Sequence, residues 1–155
     1  MVTLYNVVSS DGFIARTDGS EDFIPDHMWP KTLEVFKKYG TLVMGRKTYD
    51  ALQKYDVALL KPFEQLPIKK IVISQELSFK PKVGYAVART LEEATANPNT
   101  LVSSGPTLNT ELLKRNMISE ILLHVVPVTV GEGIKQFKDG TEPLLSKIKT
   151  RLLAI

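Results

Sequence analysis

Two kinds of hydrophobic pattern follow one another along the chain. Short, continuous apolar runs rich in β-branched residues, such as residues 42–44 and 71–73, are typical of strands that are covered on both faces. Segments with apolar residues three or four positions apart, such as the one with Leu33 and Phe36, are typical of amphipathic helices. Because the two kinds alternate, the pattern predicts an α/β domain of three layers, with a mostly parallel central sheet and flanking helices.

The boundaries of the predicted elements come from glycine, proline and capping residues next to the apolar runs. Residues 57–66, which contain Pro62, are predicted to be a loop. Helices are predicted from Pro30 to about Gly40, over 47–55, from Thr90 to about Asn97, and from Pro106 onward. Strands are predicted at 2–9, 42–44, 70–74, 83–87, 100–103, 118–130 and 144–155.

Composition and charge limit the classes of function. The chain has 155 residues, of which 43% are hydrophobic and 24% charged, and this suits one globular domain over residues 1–155. The net charge of +3 suits an anionic small ligand, but the basic residues are dispersed, so we expect no nucleic-acid partner. With no cysteine and two histidines, the chain is expected to hold no disulfide and no metal. No apolar run could span a bilayer, so we expect a cytoplasmic protein without a membrane partner.

Polar loops follow several of the predicted strands. In an open parallel sheet, ligands bind at the carboxyl ends of the strands, and this rule brings residues 9–11, 45–48, 74–75 and 103–107 to one edge. Gly45 allows a sharp turn, and Arg46, Lys47 and Thr48 then lie in the first turn of a helix, where free N–H groups favour anions. A basic helix start without a ligand is the alternative. Because Pro106 opens a second such turn, we expect a nucleotide-like anion.

A loop before the first helix carries the candidate proton donors. Asp22 and Asp26 lie in sequence among Phe23, Ile24 and Trp29, and an apolar environment can raise the pKa of a carboxyl group into the range useful for acid–base catalysis. The alternative is a solvated loop with a helix-capping aspartate.

Five motifs follow one another along the chain: VSSDGFIA (8–15), VMGRKTY (43–49), IVISQ (71–75), LVSSGPTL (101–108) and VPVTVGEGI (126–134). In this order they resemble the dihydrofolate reductase superfamily, and most closely its branch with the C-terminal reductase domain of riboflavin-biosynthesis proteins and small stand-alone reductases. The resemblance implies a dihydrofolate-reductase-like fold and an NADPH-dependent reductase, like dihydrofolate reductase or 5-amino-6-(5-phosphoribosylamino)uracil reductase. Its substrate would be a small pteridine- or pyrimidine-like heterocycle.

The resemblance also implies roles for individual residues. Arg46 would bind the 2′-phosphate that distinguishes NADPH from NADH. Asp22 or Asp26 would be catalytic, and the substrate site would include Asp11, Phe23 and Trp29. The cofactor would be held by Val8, Ser9, Ile14, Gly45, Arg46, Lys47, Thr48, Ser74, Gln75, Ser103, Ser104, Gly105, Pro106, Thr107 and Leu108.

Three departures from the family pattern qualify this picture. Ser104 stands where the family has glycine, and its side chain is expected to crowd the cofactor. The late strand has His124 where folate-reducing members have a threonine. The chain stops at Ile155 without a returning strand, and since an exposed edge needs covering, we expect a homodimer. A non-catalytic nucleotide-binding relative is the alternative function.

Overall fold

A computed structural model describes residues 1–155. The chain forms nine strands and six helices, in the order β1 (Val2–Val8), β2 (Phe13–Ala15), α1 (Met28–Phe36), β3 (Thr41–Gly45), α2 (Arg46–Leu52), α3 (Val57–Glu64), β4 (Lys69–Ile73), β5 (Tyr85–Ala88), α4 (Leu91–Ala94), β6 (Thr100–Val102), α5 (Pro106–Lys114), β7 (Ile118–Val125), β8 (Ile134–Lys135), α6 (Glu142–Leu145) and β9 (Lys149–Leu153).

Seven strands form the central sheet, and every neighbouring pair in it is parallel. The strand order is β5-β4-β3-β6-β1-β7-β9. Alternate residues of β3 point to opposite faces: Leu42 and Met44 pack with α1, α2 and α3, while Val43 packs with α4 and α5. The predicted three-layer α/β architecture is therefore confirmed, and the carboxyl ends of β1, β3, β4 and β6 share one edge.

A second, two-stranded sheet lies beside the end of β1. In it β2 pairs antiparallel with β8, through Phe13 with Lys135 and Ala15 with Ile134. Gly133 leads into β8, and a Cβ atom there would overlap the carbonyl oxygen of Ala15. Only glycine therefore allows these two segments to approach so closely.

The loop predicted at residues 57–66 was wrong, because α3 occupies most of it. Pro62 lies near the end of this helix, where the loss of one backbone N–H removes a single hydrogen bond. Leu60 and Phe63 are buried, and Phe63 packs edge-on against Phe36 of α1, with ring centroids 5.9 Å apart. Tertiary packing therefore stabilises a helix that Pro62, within it, and Pro67, just after it, made look like a loop.

Three predicted strands have different bounds. The strand predicted at 83–87 starts two residues later, because Gly84 makes a turn with φ +102°. The strand predicted at 118–130 ends at Val125, just before Pro127, which has no N–H for a ladder. The segment predicted as one strand at 144–155 is divided between α6 and β9.

The C-terminal strand β9 lies at one edge of the central sheet. β9 pairs with β7 in parallel, from Glu120 opposite Lys149 to His124 opposite Leu153. The chain itself thus covers the edge of β7, and the outer edge of the sheet belongs to β9. No helix in the structure has the length and apolar content needed to cross a membrane.

Candidate functional site

A cleft of about 990 Å³ opens at the carboxyl edge of the sheet, on the face that carries α1, α2 and α3. Its walls come from several separate parts of the chain. One part of its lining comes from the loops after β3 and β6, and another part, the aromatic chamber, from Trp29, Tyr55 and Leu59. The volume suits a small-molecule or cofactor site.

Ser104 joins the two loops at the first end of the cleft. Its Oγ accepts the backbone N–H of Gly45 over 3.0 Å and lies 3.3 Å from the Thr48 hydroxyl. The side chain is buried, so its hydroxyl is occupied by contacts within the protein. Ser104 thus connects the ends of β3 and β6, in addition to lining the cleft.

The backbone at Gly105 borders open space next to Ser104. It caps α5 with extended backbone (φ −96°, ψ −174°), and a Cβ atom built on it would meet no heavy atom within 4 Å. The next residue, Pro106, lacks an N–H, and the amides of Thr107 and Leu108 lie in the first turn, where helical partners are absent. Of this turn, Gly105 and Pro106 line the cleft, and the open space at Gly105, beside the start of a helix, fits a phosphate group of a dinucleotide.

A buried amide network supports the same turn from below. Asn6 Nδ2 donates to the Ser104 carbonyl over 3.0 Å, and Gln136 Nε2 donates to Asn6 Oδ1 over 2.8 Å. Asn109 Nδ2 donates to the Gln136 carbonyl over 3.0 Å, while its Oδ1 has no partner. The sequence analysis missed Asn6, although an amide in an otherwise apolar strand is a signal of such a role.

Two carboxylates pair with Arg46, whose own side chain does not line the cleft. Its Nε lies 3.0 Å from Asp50 and its Nη1 2.8 Å from Glu76, and these contacts, led by Asp50, raise the pKa of Arg46. The guanidinium stacks over the Phe79 ring at 3.9 Å. The cation that was predicted to bind a 2′-phosphate is therefore already paired.

The end of β4 lies next to this ion pair. The Ser74 hydroxyl accepts the N–H of Glu76 over 3.2 Å, and Gln75 donates to the Arg89 carbonyl over 3.1 Å. Arg89 in turn donates to the carbonyls of Ser74 and Glu76 over 2.8 and 2.7 Å. Glu76 thus sits between the strand end and Arg46.

The three carboxylates of the loop before α1 have different environments. Asp22 is paired with Arg16, which lowers its pKa, and it does not line the cleft. Asp26 lines the cleft and is exposed. Glu21 also lines the cleft and is exposed, no hydrogen bond or ion pair engages its carboxylate, and neighbouring protein atoms raise its pKa. Burial, together with the charge of Glu21, raises the pKa of Tyr55 to about 12.

Asp11 is part of a loop connection outside the cleft. Its carboxylate accepts the Ser9 hydroxyl over 2.6 Å and the backbone N–H groups of Val130 and Gly131 over 3.1 and 2.7 Å. These hydrogen bonds, led by that of Ser9, lower the pKa of Asp11 to about 2. The carboxylate holds the loop after β7 against the loop after β1.

An aromatic pair forms the chamber at the far end of the cleft. Trp29 Nε1 donates to the Leu59 carbonyl over 2.8 Å, and the Trp29 ring meets Tyr55 with centroids 5.3 Å apart. Flat aromatic walls of this kind suit a planar heterocycle. Phe23, in contrast, packs into a separate buried cluster with Met28 and Val126.

The structure brings together only part of the predicted site. No group of three or more potential ligands is placed to hold a metal ion. The predicted residues that line the cleft are Ile14, Asp26, Trp29, Lys47, Thr48, Ser103, Ser104, Gly105 and Pro106. Those that do not are Val8, Ser9, Asp11, Asp22, Phe23, Gly45, Arg46, Ser74, Gln75, Thr107 and Leu108.

Comparison with known sequences finds a relative without an assigned activity. No protein-family model matches the chain. The uncharacterized protein YwjB of Bacillus subtilis (strain 168) is 25% identical over 158 residues, which cover 94% of this chain and 87% of that protein.

Comparison with solved structures identifies the fold. A protein of Shewanella sp. PV-4 named for riboflavin biosynthesis has a TM-score of 0.68 and 22% identity, covering 90% of this chain and 84% of that one. Dihydrofolate reductase of Enterococcus faecalis, complexed with NADP(H) and RAB-propyl, has a TM-score of 0.65 and 19% identity, covering 92% and 80%.

A third similar structure is larger than this chain. It is the diaminohydroxyphosphoribosylaminopyrimidine deaminase/5-amino-6-(5-phosphoribosylamino)uracil reductase of Thermotoga maritima, with a TM-score of 0.63 and 15% identity. The match covers 88% of this chain and 47% of that protein, about half its length. Together the three structures show that this chain has the dihydrofolate-reductase-like fold, as its five motifs predicted.

Proposed function

We propose that this chain, with its dihydrofolate-reductase-like fold, is a reductase that uses a nicotinamide dinucleotide to transfer a hydride to a small pteridine- or pyrimidine-like heterocycle. One observation carries the proposal: a single cleft joins the open backbone at Gly105 to the aromatic chamber of Trp29 and Tyr55. The cleft thus offers an anion-binding end and a planar, apolar end. The NADP(H) complex of the E. faecalis neighbour supports the choice of cofactor.

The chain's own residues would hold the cofactor at the first end of the cleft. Its phosphates would lie against the backbone at Gly105 and the side chains of Lys47 and Thr48. Ile14 and Ile134 would exclude water from the middle of the cleft. When bound, the reduced nicotinamide supplies the hydride, and the protein's contribution is to hold donor and acceptor together.

Glu21 is our proposed proton donor. It lines the cleft and no hydrogen bond or ion pair engages its carboxyl group, which is therefore free to exchange a proton with a bound ligand. Asp26 lines the same cleft and is the second candidate, while Asp22 is engaged by Arg16.

The proposed function is tested by binding first and turnover second. Trp29 is the only tryptophan and borders the cleft, so quenching of its fluorescence by NADPH and by NADH reports occupancy. Oxidation of the cofactor is then followed with a panel of pterins and aminopyrimidines. Saturable quenching with turnover of one acceptor supports the reductase. Binding without turnover across the panel supports a non-catalytic nucleotide-binding protein. If neither NADPH nor NADH binds, both functions are contradicted.

The proton donor is tested in the same assay. Glu21→Gln is expected to lower turnover about 10²-fold and to remove the fall in turnover as the pH rises, because the amide has no acidic proton to donate or to lose. Asp22→Asn is the matched control, since its carboxylate lies outside the cleft. A larger effect of Asp26→Asn than of Glu21→Gln would transfer the role to Asp26.

We also propose that the protein forms a homodimer. The outer edge of β9 has no partner strand, and Leu152 on that strand is 67% exposed. Light scattering at several concentrations measures the mass directly. A mass of 17.3 kDa at every concentration would contradict the dimer.

A further inference from the structure

The peptide bond between Ser104 and Gly105 is held on its carbonyl side by two buried amides. Asn6 Nδ2 donates to the Ser104 carbonyl over 3.0 Å, and Asn109 Nδ2 lies 3.4 Å from the same oxygen. Asn6 is 7% exposed and Asn109 is fully buried. Because both donors lie in the interior of the protein, the Ser104 carbonyl points inward.

The orientation of the Asn6 amide follows from its neighbours. A backbone carbonyl can only accept a hydrogen bond, so the group of Asn6 that faces Ser104 is the nitrogen. The oxygen of the same amide accepts from Gln136 Nε2 over 2.8 Å and from Asn109 Nδ2 over 3.3 Å. An Asn6 amide turned over would place its oxygen against the Ser104 carbonyl oxygen and lose these contacts. The amide therefore has one favourable orientation.

The inward carbonyl determines where the next N–H group points. The chain contains no cis peptide bond, and in a trans peptide the carbonyl and the following N–H lie on opposite sides. The N–H of Gly105 thus points away from Asn6 and Asn109. Gly105 lines the cleft, and no hydrogen bond within the protein engages its N–H. The result is a free backbone donor beside the open space at Gly105.

A second contact keeps this peptide bond from turning. The Ser104 side chain accepts the N–H of Gly45, so the residue is anchored through its hydroxyl as well as through its carbonyl. A donor that is already oriented needs no reordering when an anion binds, and this favours affinity. A peptide bond free to turn would instead present its carbonyl oxygen, which repels a phosphate.

We propose that Asn6 is a positioning residue for the cofactor: it holds the Ser104 carbonyl so that the Gly105 N–H donates to a phosphate oxygen. Gln136, which follows β8, holds the Asn6 amide in turn and acts one step further from the ligand. That the ligand is a dinucleotide rests on the proposed reductase function. The orientation of the peptide bond does not.

The orientation is tested in the ligand-free protein by hydrogen exchange of assigned amides, followed by NMR. We expect the Gly105 amide to exchange quickly, because it has no partner and borders the cleft. The amide of Asn109, which donates to the Gly105 carbonyl over 3.1 Å, is the protected reference in the same turn. Equal protection of the two amides would show that the Gly105 N–H is engaged within the protein, and would overturn the proposal.

The donor is tested next with inorganic pyrophosphate, at constant ionic strength. We expect a saturable downfield shift of the Gly105 amide proton, as a hydrogen bond to an anion produces. A titration without such a shift at Gly105 overturns the proposal. Because this probe contains no nicotinamide and no acceptor is reduced, the result is separate from that of the reductase assay.

Variants distinguish a positioning role of Asn6 from a merely structural one. Asn6→Leu keeps a side chain of similar size but removes the donor, so the affinity for NADPH should fall about 10-fold, as one hydrogen bond to a charged group allows. The affinity for 4-aminopyrimidine, a probe of the aromatic chamber without a phosphate, should stay unchanged in NMR titrations. An equal loss for both ligands would show that Asn6 only supports the fold, and would contradict the proposal.

Two further variants complete the test. Gln136→Leu leaves the contact between Asn6 and Ser104 in place, so its effect on NADPH should have the same direction and be smaller. Gln53→Leu is the control, since it loses an amide hydrogen bond to the Tyr85 hydroxyl outside the cleft. A loss of NADPH affinity in Gln53→Leu equal to that in Asn6→Leu overturns the proposal. If Asn6→Leu does not fold, Asn6→Ser removes the same amide and carries the same expectation.

Discussion

The hydroxyl oxygen of Ser104 lies 3.0 Å from the backbone nitrogen of Gly45, and this hydrogen bond joins the ends of the neighbouring strands β3 and β6. A Cβ atom on Gly45 would come within 3.2 Å of the same oxygen, so the glycine and the serine fit each other as a pair. Ser104 thus stabilises the two loops at the cleft.

Replacing Ser104 tests this connection. Ser104→Ala removes the acceptor of a part-buried N–H, and we expect the free energy of unfolding to fall by about 1–2 kcal/mol. Urea denaturation measures the change. Ser103→Ala is the neighbouring control, since its hydroxyl makes no hydrogen bond within the protein, and an equal loss in both variants would contradict a specific role for Ser104.

Gly105→Ala separates binding from folding. Its extended backbone accepts alanine and the new methyl group meets no neighbour, so stability should be unchanged or up to about 1 kcal/mol higher. The methyl group would occupy the space proposed for a cofactor phosphate, so the affinity for NADPH should fall at least 10-fold. Trp29 fluorescence titration and thermal unfolding on the same samples give both values. Undiminished NADPH affinity would move the phosphate site away from this turn.

The pairing of Arg46 with Glu76 predicts how the two cofactors are distinguished. Glu76→Gln removes one of the two negative partners, so more of the guanidinium charge becomes available to a 2′-phosphate. We expect the affinity for NADPH to rise about 2- to 5-fold while that for NADH stays unchanged, as the modest strength of exposed ion pairs implies. Arg46→Ala should have the opposite effect on NADPH alone. Glu92→Gln, which loses an ion pair with Arg115 elsewhere, is the control.

His124 predicts a loss of stability as the pH falls below the ordinary histidine pKa of about 6.5. Burial lowers the pKa of the folded ring, so below the ordinary value of 6.5 the unfolded chain binds a proton that the folded chain does not. Stability is therefore fully present above that pH and declines as the pH falls through it. Carboxyl groups with a lowered pKa, such as that of Asp11, change the stability of the protein only at lower pH. Chemical denaturation across this window should show a smaller slope for His124→Asn than for the exposed-site control His27→Asn.

Lys70 is a buried cation that completes the end of α3. It is 4% exposed, and its Nζ donates to the carbonyls of Glu64, Leu66 and Ile68 over 3.3, 2.9 and 3.4 Å. Lys70→Met keeps the aliphatic stem but leaves these carbonyls without the donor, and we expect a loss of about 2–3 kcal/mol in urea denaturation. Lys69→Met, at the exposed neighbouring position, should have little effect. Equal stabilities for the two variants would show that water replaces the Lys70 ammonium.

The fold and one end of the site could be derived from the sequence. Alternating apolar runs and helical spacings depend on local periodicity, and this predicted the three layers and the parallel sheet. The glycine and proline turns after β3 and β6 follow from the same local rules, so Ser104 and Gly105 were predicted as candidate site residues, and both line the cleft. Helix α3 was missed because its stability comes from Phe63 packing on Phe36, a contact that no local pattern around Pro62 reveals.

The chemistry of the individual groups was decided only by the tertiary structure. Arg46 and Glu76 are 30 positions apart, Ser104 and Gly45 are 59 apart, and Asn6 and Ser104 are 98 apart. The sequence by itself determined that cationic, hydroxyl and aromatic residues lie near the carboxyl edge of a parallel sheet. Hydrogen bonds and ion pairs act over a few ångströms of space. Whether a charge is already paired, or a hydroxyl donates or accepts, therefore depends on neighbours that only folding brings together.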